Sequence, residues 1–414
     1  MPVTEWKKIL FAATAPALIV AASAFAEPQA AGLSKEFIGP AGGFTQVVTS
    51  TSQGVKTIYV SGQVGQGDDF VAHVDSAFAG VVRRLESAGA TPADVVKIRI
   101  SVKDFDPETY GVIADARRRT FVEGRWPAST MVGVQSLFVE QLQVEIEAIA
   151  VIEDPAAGGA VLQREFVGPS SGFSRVVTVT SGGVKTIWVS GQVAQGDDLA
   201  AQSASVFEAL ARNLESVGAS LADVVKTNTY IADYKPEDRR VFGEVRTVAL
   251  GSENLPSSTL IGVQALAADR FKVEVDAVAV VGEEGVEREQ VERAFIDPAG
   301  GFTQVVTTES GATKTVYVSG QVGRRADDLE TQAGQAYGNL RRRLEAAGAS
   351  VADLVKVNFY FANYRREDAR VLGPARSIHG FPEVDFPAAT LIGIPSLYAD
   401  GALIEIEGIA IVGR

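Results

Sequence analysis

The chain contains no cysteine among its 414 residues, which excludes disulfides, thiolate nucleophiles, cysteine-ligated zinc and an acylated lipoprotein anchor. Histidine is nearly absent as well. His73 and His379 are the only two and occupy unrelated positions, so neither a histidine-rich metal site nor a repeated Ser-His-Asp triad can be assembled. His73 falls on a predicted helix and reads as a surface residue. Basic residues are outnumbered, 38 against 51 acidic, for a net charge of −13. A surface of that sign is not built to neutralise phosphates, and nucleic acid is not an expected partner. The densest basic runs, Arg117-Arg118-Arg119 and Arg341-Arg342-Arg343, read as solvated helix faces among acidic neighbours. The glycine-rich SGQVGQGDD beginning at Ser61 has neither GK[ST] nor a full GxGxxG, so it reads as a turn between strand and helix.

Long apolar runs are missing everywhere except at the start. There Lys7 and Lys8 precede an apolar stretch from Ile9 to Ala22 that ends in Ala24-Phe25-Ala26. Basic residues, an apolar run and a small-x-small site are the marks of a secretory signal peptide, assigned to residues 1–26. The alternative, a retained membrane anchor, is disfavoured because the run contains Pro16 and is shorter than the roughly 20 residues of a spanning helix. The mature chain is therefore expected in the periplasm, or secreted, with no membrane association after cleavage.

What the sequence has in abundance is repetition. GFTQVVT at Gly43 returns as GFSRVVT at Gly172 and GFTQVVT at Gly301, and VSGQV recurs every 129 residues with Ser61, Ser190 and Ser319. AGATPADVVK, VGASLADVVK and AGASVADLVK follow in register, and each copy closes on VEIEAIAV, VEVDAVAV or IEIEGIAI. The third copy carries two extra residues, read as a loop insertion between Asn363 and Pro387. Gly, Pro and acidic linkers at Glu153–Gly159 and Gly282–Gly285 separate three domains, 34–153, 163–282 and 291–414. A period of over 100 residues lets each copy hold its own core.

Within the first copy, Lys56–Val60 and Lys97–Val102 alternate as half-buried strands do. Phe70, Val74, Phe78, Val81, Val82 and Leu85 recur at helical steps behind Asp68-Asp69, and Gly89 stands where that helix stops. A second helix is predicted from Pro107 to about Phe121, followed by strands at Thr130–Val134 and Gln143–Val151. This order predicts an α+β domain with both helices on one face of a sheet. The other face needs a cover, and three joined copies can cover one another in a pseudo-threefold ring with clefts between neighbours.

GGFTQVV, YVSGQV, the ADVVK segment, Pro-Ala-Ser-Thr and VEIEAIAV together resemble the Rid, or YjgF-like, family of reactive-intermediate deaminases. The resemblance implies three tandem chorismate-mutase-like domains, a single chain equivalent to the family's homotrimer, and small-molecule sites at the interfaces. It also implies hydrolysis of imines or enamines derived from amino acids, with no cofactor and no metal. Family members hold the substrate carboxylate with an arginine, and here that place is taken by Ser129, Ser258 and Ala389. Phe44, Phe173 and Phe302 stand where a tyrosine is usual, and Val112, Val241 and Val371 where some members have asparagine.

Two features match. Ser61, Ser190 and Ser319 of VSGQ, and Glu145, Glu274 and Glu405 of the last strand, correspond to site positions. The glutamates are the candidate catalytic residues, since a carboxyl between apolar walls is poised for acid–base work. Alternatively, Glu145 and Glu147 share the solvent-facing side of an edge strand, and the serines are ordinary turn residues. The candidate ligand-binding residues are Phe44, Ser61, Ser129, Phe173, Ser190, Ser258, Phe302 and Ser319. An exported protein that binds, or binds and hydrolyses, a small reactive metabolite is the leading expectation, with a non-catalytic binding module or a structural, partner-binding protein as rivals. Without the clamp arginine little turnover of 2-iminopropanoate is expected, unless another cation, such as Arg125 or Arg270, turns inward.

Overall fold

The computed structural model describes residues 32–154, 161–282 and 291–414. The predicted signal peptide and most of both predicted linkers lie outside the described residues. The first domain runs β1 (Leu33–Pro40), β2 (Thr45–Ser52), β3 (Val55–Val64), α1 (Phe70–Ser87), β4 (Val95–Lys103), α2 (Tyr110–Thr120), β5 (Ala128–Val134), a short β6 (Ser136–Leu137) and β7 (Val144–Glu153). The second repeats it with β8 (Gln163–Ser170), β9 (Phe173–Ser181), β10 (Val184–Val193), α3 (Leu199–Glu215), β11 (Val224–Ala232), α4 (Asp238–Leu250), β12 (Ser257–Val263) and β13 (Val273–Gly282). The third comprises β14 (Glu292–Pro298), β15 (Thr303–Ser310), β16 (Thr313–Val322), α5 (Leu329–Ala346), β17 (Leu354–Ala362), α6 (Leu372–Ile378), β18 (Ala388–Ile394), β19 (Ser396–Leu397) and β20 (Ile404–Gly413).

The first long helix begins where the sequence says it should. Asp69, Asp198 and Asp328 each cap their helix by accepting a hydrogen bond at 2.8 Å from the amide three residues on, which satisfies one of the orphan donors of the first turn. Gly89 follows α1 with φ +82°, a left-handed conformation that costs glycine nothing. The second helix starts later than predicted, because Pro107 sits in a single 3-10 turn before α2.

Each sheet has the spatial order β1-β2-β3-β7-β4-β5, antiparallel except for the parallel β4–β5 pair. The last strand is thus central, flanked on both sides. That overturns the edge-strand alternative for Glu145 and Glu147. Each domain packs its helices on one face, as in the first, where Phe78, Val81 and Leu85 meet Ile98, Ile100 and Ile146.

The bare faces close on one another. Ala128 of β5 pairs with Ser174 of β9, Ser257 of β12 with Thr303 of β15, and Ala388 of β18 with Thr45 of β2. The ring is therefore complete: first to second, second to third, third back to first. At one end Val132, Val134, Leu137, Tyr230, Ile261, Ile392 and Ile394 of all three domains form one apolar cluster, the expected cover for surface that would otherwise face water. Three further seams, such as Val96 and Ala128 against Val177 and Trp188, seal the interfaces.

The two inserted residues of the third copy are not together. One lengthens the connection from β16 to α5 compared with β10 to α3, and only the other lies between β17 and β18. The first of them already shows in the motif ending at Lys356, which lies 130 residues after Lys226 where Lys226 lies 129 after Lys97. His73 is also not a surface residue. It is 8% exposed, with Nε2 3.1 Å from the Gly67 carbonyl, so it ties the loop before α1 to the helix.

Candidate functional site

The chemistry converges on the three seams and on the axis they surround. In every copy the ladder between the third and last strands slips at Ser-Gly, between Val60 and Gln63, Val189 and Gln192, and Val318 and Gln321. Such a bulge re-aims side chains. It lays the glycine against the glutamate of the last strand: a methyl on Gly62, Gly191 or Gly320 would collide with the carboxylate of Glu145, Glu274 or Glu405. The invariant Ser-Gly of the three copies is explained by that close approach.

The three glutamates are buried, at 5%, 4% and 1% exposure. Burial pushes each carboxyl up to about 8, with nearby Glu147, Asp276 and Glu407 adding to the effect. Lysines act in the opposite direction and do not overcome it. Glu145 accepts from the backbone of Leu391, and Glu274 from that of Met131. Each of these carboxyls therefore faces the domain preceding it around the ring. Oε2 of Glu145 and of Glu405 has no hydrogen-bond partner among the described residues.

The serines are committed elsewhere. Ser61, Ser190 and Ser319 are fully buried. Each donates at 2.6 Å to a carbonyl of its own second strand, Thr45, Ser174 or Thr303. Each also accepts from the amide of the neighbouring domain, Ala389, Ser129 or Ser258, at 2.7–2.8 Å. Their hydroxyls fasten the third strand of one domain to the strand carrying Ala389, Ser129 or Ser258 in its neighbour.

Three helix arginines reach the seams, and one of them, Arg117, belongs to a run expected to face solvent. Arg125 and Arg270 are exposed and do not turn inward. Arg117 of α2, Arg246 of α4 and Arg376 of α6 do, each against the glycine that precedes Phe173, Phe302 or Phe44 in the next domain. Arg117 is only 2% exposed, so the run Arg117–Arg119 is not a uniformly solvated face. Arg118 and Arg119 remain outside, bonded to Asp115 and Asp75. In the other triplet Arg341 and Arg342 are exposed while Arg343 lines a seam.

The three seams differ. Between the first and second domains, Arg117 donates to Ser129 at 3.1 Å and to the Tyr110 hydroxyl at 3.0 Å, and lies over Phe173 at 5.3 Å. Between the third and first, Arg376 donates to the Gly43 carbonyl at 2.8 Å, beside the half-buried Phe44, and stacks on Phe386 at 4.0 Å. Between the second and third there is a cavity of about 240 Å³, lined by Arg246, Ser258, Phe302, Gln321 and Glu405 among others. Here burial, with Arg239 nearby, pushes the Arg246 guanidinium down to about 10. A cation depressed in this way lacks a carboxylate to offset its desolvation.

On the axis a second bulge in each copy, before Lys97, Lys226 and Lys356, turns a lysine inward. The lysines meet Asp276 at 3.5 Å, Glu407 at 2.7 Å and Glu147 at 2.8 Å, each pair joining two domains. Thr130, Thr259 and Thr390 donate to the same carboxylates. One residue breaks the symmetry. Arg99 approaches Glu147 at 3.0 Å, Asp276 at 3.5 Å and Glu407 at 3.9 Å, while Asn228 and Asn358, its counterparts, both donate to Glu407. Burial opposes ionisation of these three carboxyls, but the lysines and Arg99 outweigh it and hold them below the usual carboxylate range. The inner acid of each last strand is thus ionised and paired, and the outer one is held protonated.

No group of His, Asp and Glu arranged to hold a metal occurs among the described residues, and none of their helices is long and apolar enough to cross a membrane.

A family model described as Endoribonuclease L-PSP matches residues 35–152, 166–281 and 292–412. A 2-iminobutanoate/2-iminopropanoate deaminase from Dermatophagoides farinae is 32% identical over 122 residues, 28% of this chain and 88% of that protein. Among solved structures, a chorismatase aligns over 77% of this chain and 93% of its own, with a TM-score of 0.50 and 15% identity, a likeness of fold alone. A YjgF/YER057c/UK114 family member from Mycobacterium tuberculosis is 34% identical, covering 29% of this chain and 100% of its own, with a TM-score of 0.26. Three consecutive matches that together span most of the sequence show that this chain belongs to the L-PSP family, the YjgF or Rid family its repeats resemble, in three tandem copies.

Proposed function

We propose that the cavity between the second and third domains binds a small 2-imino or enamine acid and hydrolyses it to a 2-oxo acid and ammonia. The observation that carries this reading is that Arg246 and Glu405 line one cavity. Arg246, on a helix and not in the strand-end segment, takes the part of the missing clamp, and a guanidinium fork suits a carboxylate. Glu405, protonated at neutral pH, gives its proton to the imine nitrogen. Its carboxylate then takes a proton from water as the water oxygen bonds to the imine carbon. Glu405 then returns that proton to the amino nitrogen and takes the hydroxyl proton as the C–N bond breaks, so that ammonia leaves, the C=O double bond remains and Glu405 ends protonated as it began. The reaction consumes only water.

Arg246 on this cavity supports more activity than the missing clamp alone would allow. The 32% identity of one domain length to an iminobutanoate deaminase supports the same reading. Arg246→Ala is expected to lower kcat/KM for 2-iminobutanoate, generated in situ by an amino-acid oxidase, by about a hundredfold, the worth of a charge-assisted hydrogen-bonded pair. An unchanged rate in that coupled assay would remove Arg246 from the site. Ribonuclease activity, which the family description names, is not part of this reading, since the net charge of −13 disfavours a polyanion.

Export belongs to the same proposal. Lys7, Lys8 and the Ala24-Phe25-Ala26 site support removal of residues 1–26 and a periplasmic or secreted product. The mature protein is expected to begin at Glu27, which N-terminal sequencing of the fractionated protein checks; a start at Met1 in the cytoplasmic fraction would refute it.

A further inference from the structure

Arg239, Gly243 and Arg246 stand at i, i+4 and i+7 of α4, so they share a helix face, and all three line the cavity between the second and third domains. The matching residues are Tyr110, Ala114 and Arg117 in the first copy and Ala369, Gly373 and Arg376 in the third. One helix face has thus taken three forms. In the first copy, the Tyr110 hydroxyl accepts from Arg117 and the ring lies beneath the guanidinium at 5.5 Å, which engages that arginine within its own domain. In the third, Ala369 brings no charge and Arg376 is engaged by Gly43 and Phe386. In the second, two guanidiniums face one cavity.

Arg239 is exposed at the mouth, 5.2 Å from the Tyr398 ring of the third domain. Arg246 lies deeper, with a buried Nε that has no partner among the described residues. A third cation, Arg343 of α5, is neutralised by Asp297. The one carboxyl in the lining, Glu405, is kept protonated by burial. The cavity therefore presents two positive charges that the protein does not balance. They are separated by about two helical turns, roughly 10 Å along the axis, and flexible side chains can lean across that distance onto a ligand of four or five carbons.

We propose that this cleft selects a dicarboxylate, the imine of an acidic amino acid and its 2-oxo product, with Arg246 gripping the carboxylate beside the reacting carbon and Arg239 the distal one. The inference rests on the deaminase reading of the cleft and narrows its substrate class. It also makes the site one per chain, since the other two seams spend their arginines internally.

The test is calorimetric titration of the full chain with 2-oxoglutarate and with 2-oxobutanoate, product analogues with and without the second carboxylate. The expected result is one site per chain and at least about tenfold tighter binding of 2-oxoglutarate, a preference worth one added ion pair in a partly buried site. Arg239→Ala is expected to abolish that preference. Arg240→Ala, which removes the same charge from the same helix where Arg240 faces Glu244 at 2.7 Å, is expected to retain it. Equal affinities in the unsubstituted chain, three sites per chain, or a preference that survives Arg239→Ala would each overturn the proposal. If Arg246→Ala weakens both ligands while Arg239→Ala leaves the ratio intact, the dicarboxylate inference alone fails. If Arg246→Ala weakens neither, the reading of the cleft fails with it.

Discussion

Glu405→Gln is expected to reduce turnover of a 2-imino acid by about 10²- to 10⁴-fold, the usual contribution of a positioned acid–base group, while the substrate analogue still binds. Glutamine keeps the size of the side chain and its contact with Gly320, so the cavity keeps its shape. What it loses is the exchangeable proton. The Glu405 carboxyl is raised to about 8 by burial and by Glu407 beside it, so the protonated form that starts the reaction is lost as pH rises through 8. The unsubstituted chain should therefore show a falling limb of activity near pH 8 that the variant lacks. Equal turnover in the two proteins, with the same pH profile, would remove Glu405 from the mechanism.

The same ionisation bears on stability. An unfolded glutamate releases its proton near 4.5 and the folded one near 8, so between those values the folded chain holds more protons than the unfolded. Stability therefore falls as pH rises through that window. Glu145 and Glu274 act in the same direction, and Glu405→Gln removes one of three such contributions.

Arg99→Leu carries the second large expectation, a loss of about 3–5 kcal/mol, the scale for breaking a buried charge network by deleting one partner. The leucine would leave Glu147 without its 3.0 Å donor and Asp276 and Glu407 without a shared cation. Arg99→Asn should cost less than half as much. Asparagine already occupies both matching positions and donates to Glu407 there, and three lysines still face three carboxylates. Thermal and urea unfolding of the two variants provide the comparison. If leucine and asparagine cost the same, or neither costs anything, Arg99 is not holding the axis together.

The repeat, the helix–strand order and the need for a covered sheet face were legible in the sequence because each is written in local periodicity. A two-residue alternation identifies strands such as Lys97–Val102, and a three- and four-residue step identifies α1. Their consequence, a ring of three, follows from the apolar area that one copy leaves bare. The glutamates were legible through the resemblance, and the structure adds that β7, β13 and β20 are central strands, so the acids point toward the seams and the axis.

The arginines were not legible, for a physical reason. Helical periodicity reports which face of α2 or α4 rests on its own sheet, and it is silent about a face that meets another domain. A usable signal was present nonetheless. Arg117 and Arg246 stand 129 residues apart, at the period of the repeat, and Arg376 falls one position off that period because of the residue inserted before α5. Lys97, Lys226 and Lys356 were visible as the last letter of a repeated motif, but the bulge that aims them inward cannot be read from strand alternation. The same is true of Arg99, whose neighbours belong to three domains.

The lone arginine on the axis has a consequence for how such a protein can vary. Where three identical subunits assemble, any residue at the axis appears three times or not at all, and three guanidiniums would repel one another there. A single polypeptide is free of that arithmetic. One codon can place one charge at the centre, another can engage one seam's arginine with a tyrosine, and a third can add an arginine to another seam, each without consulting the other two copies.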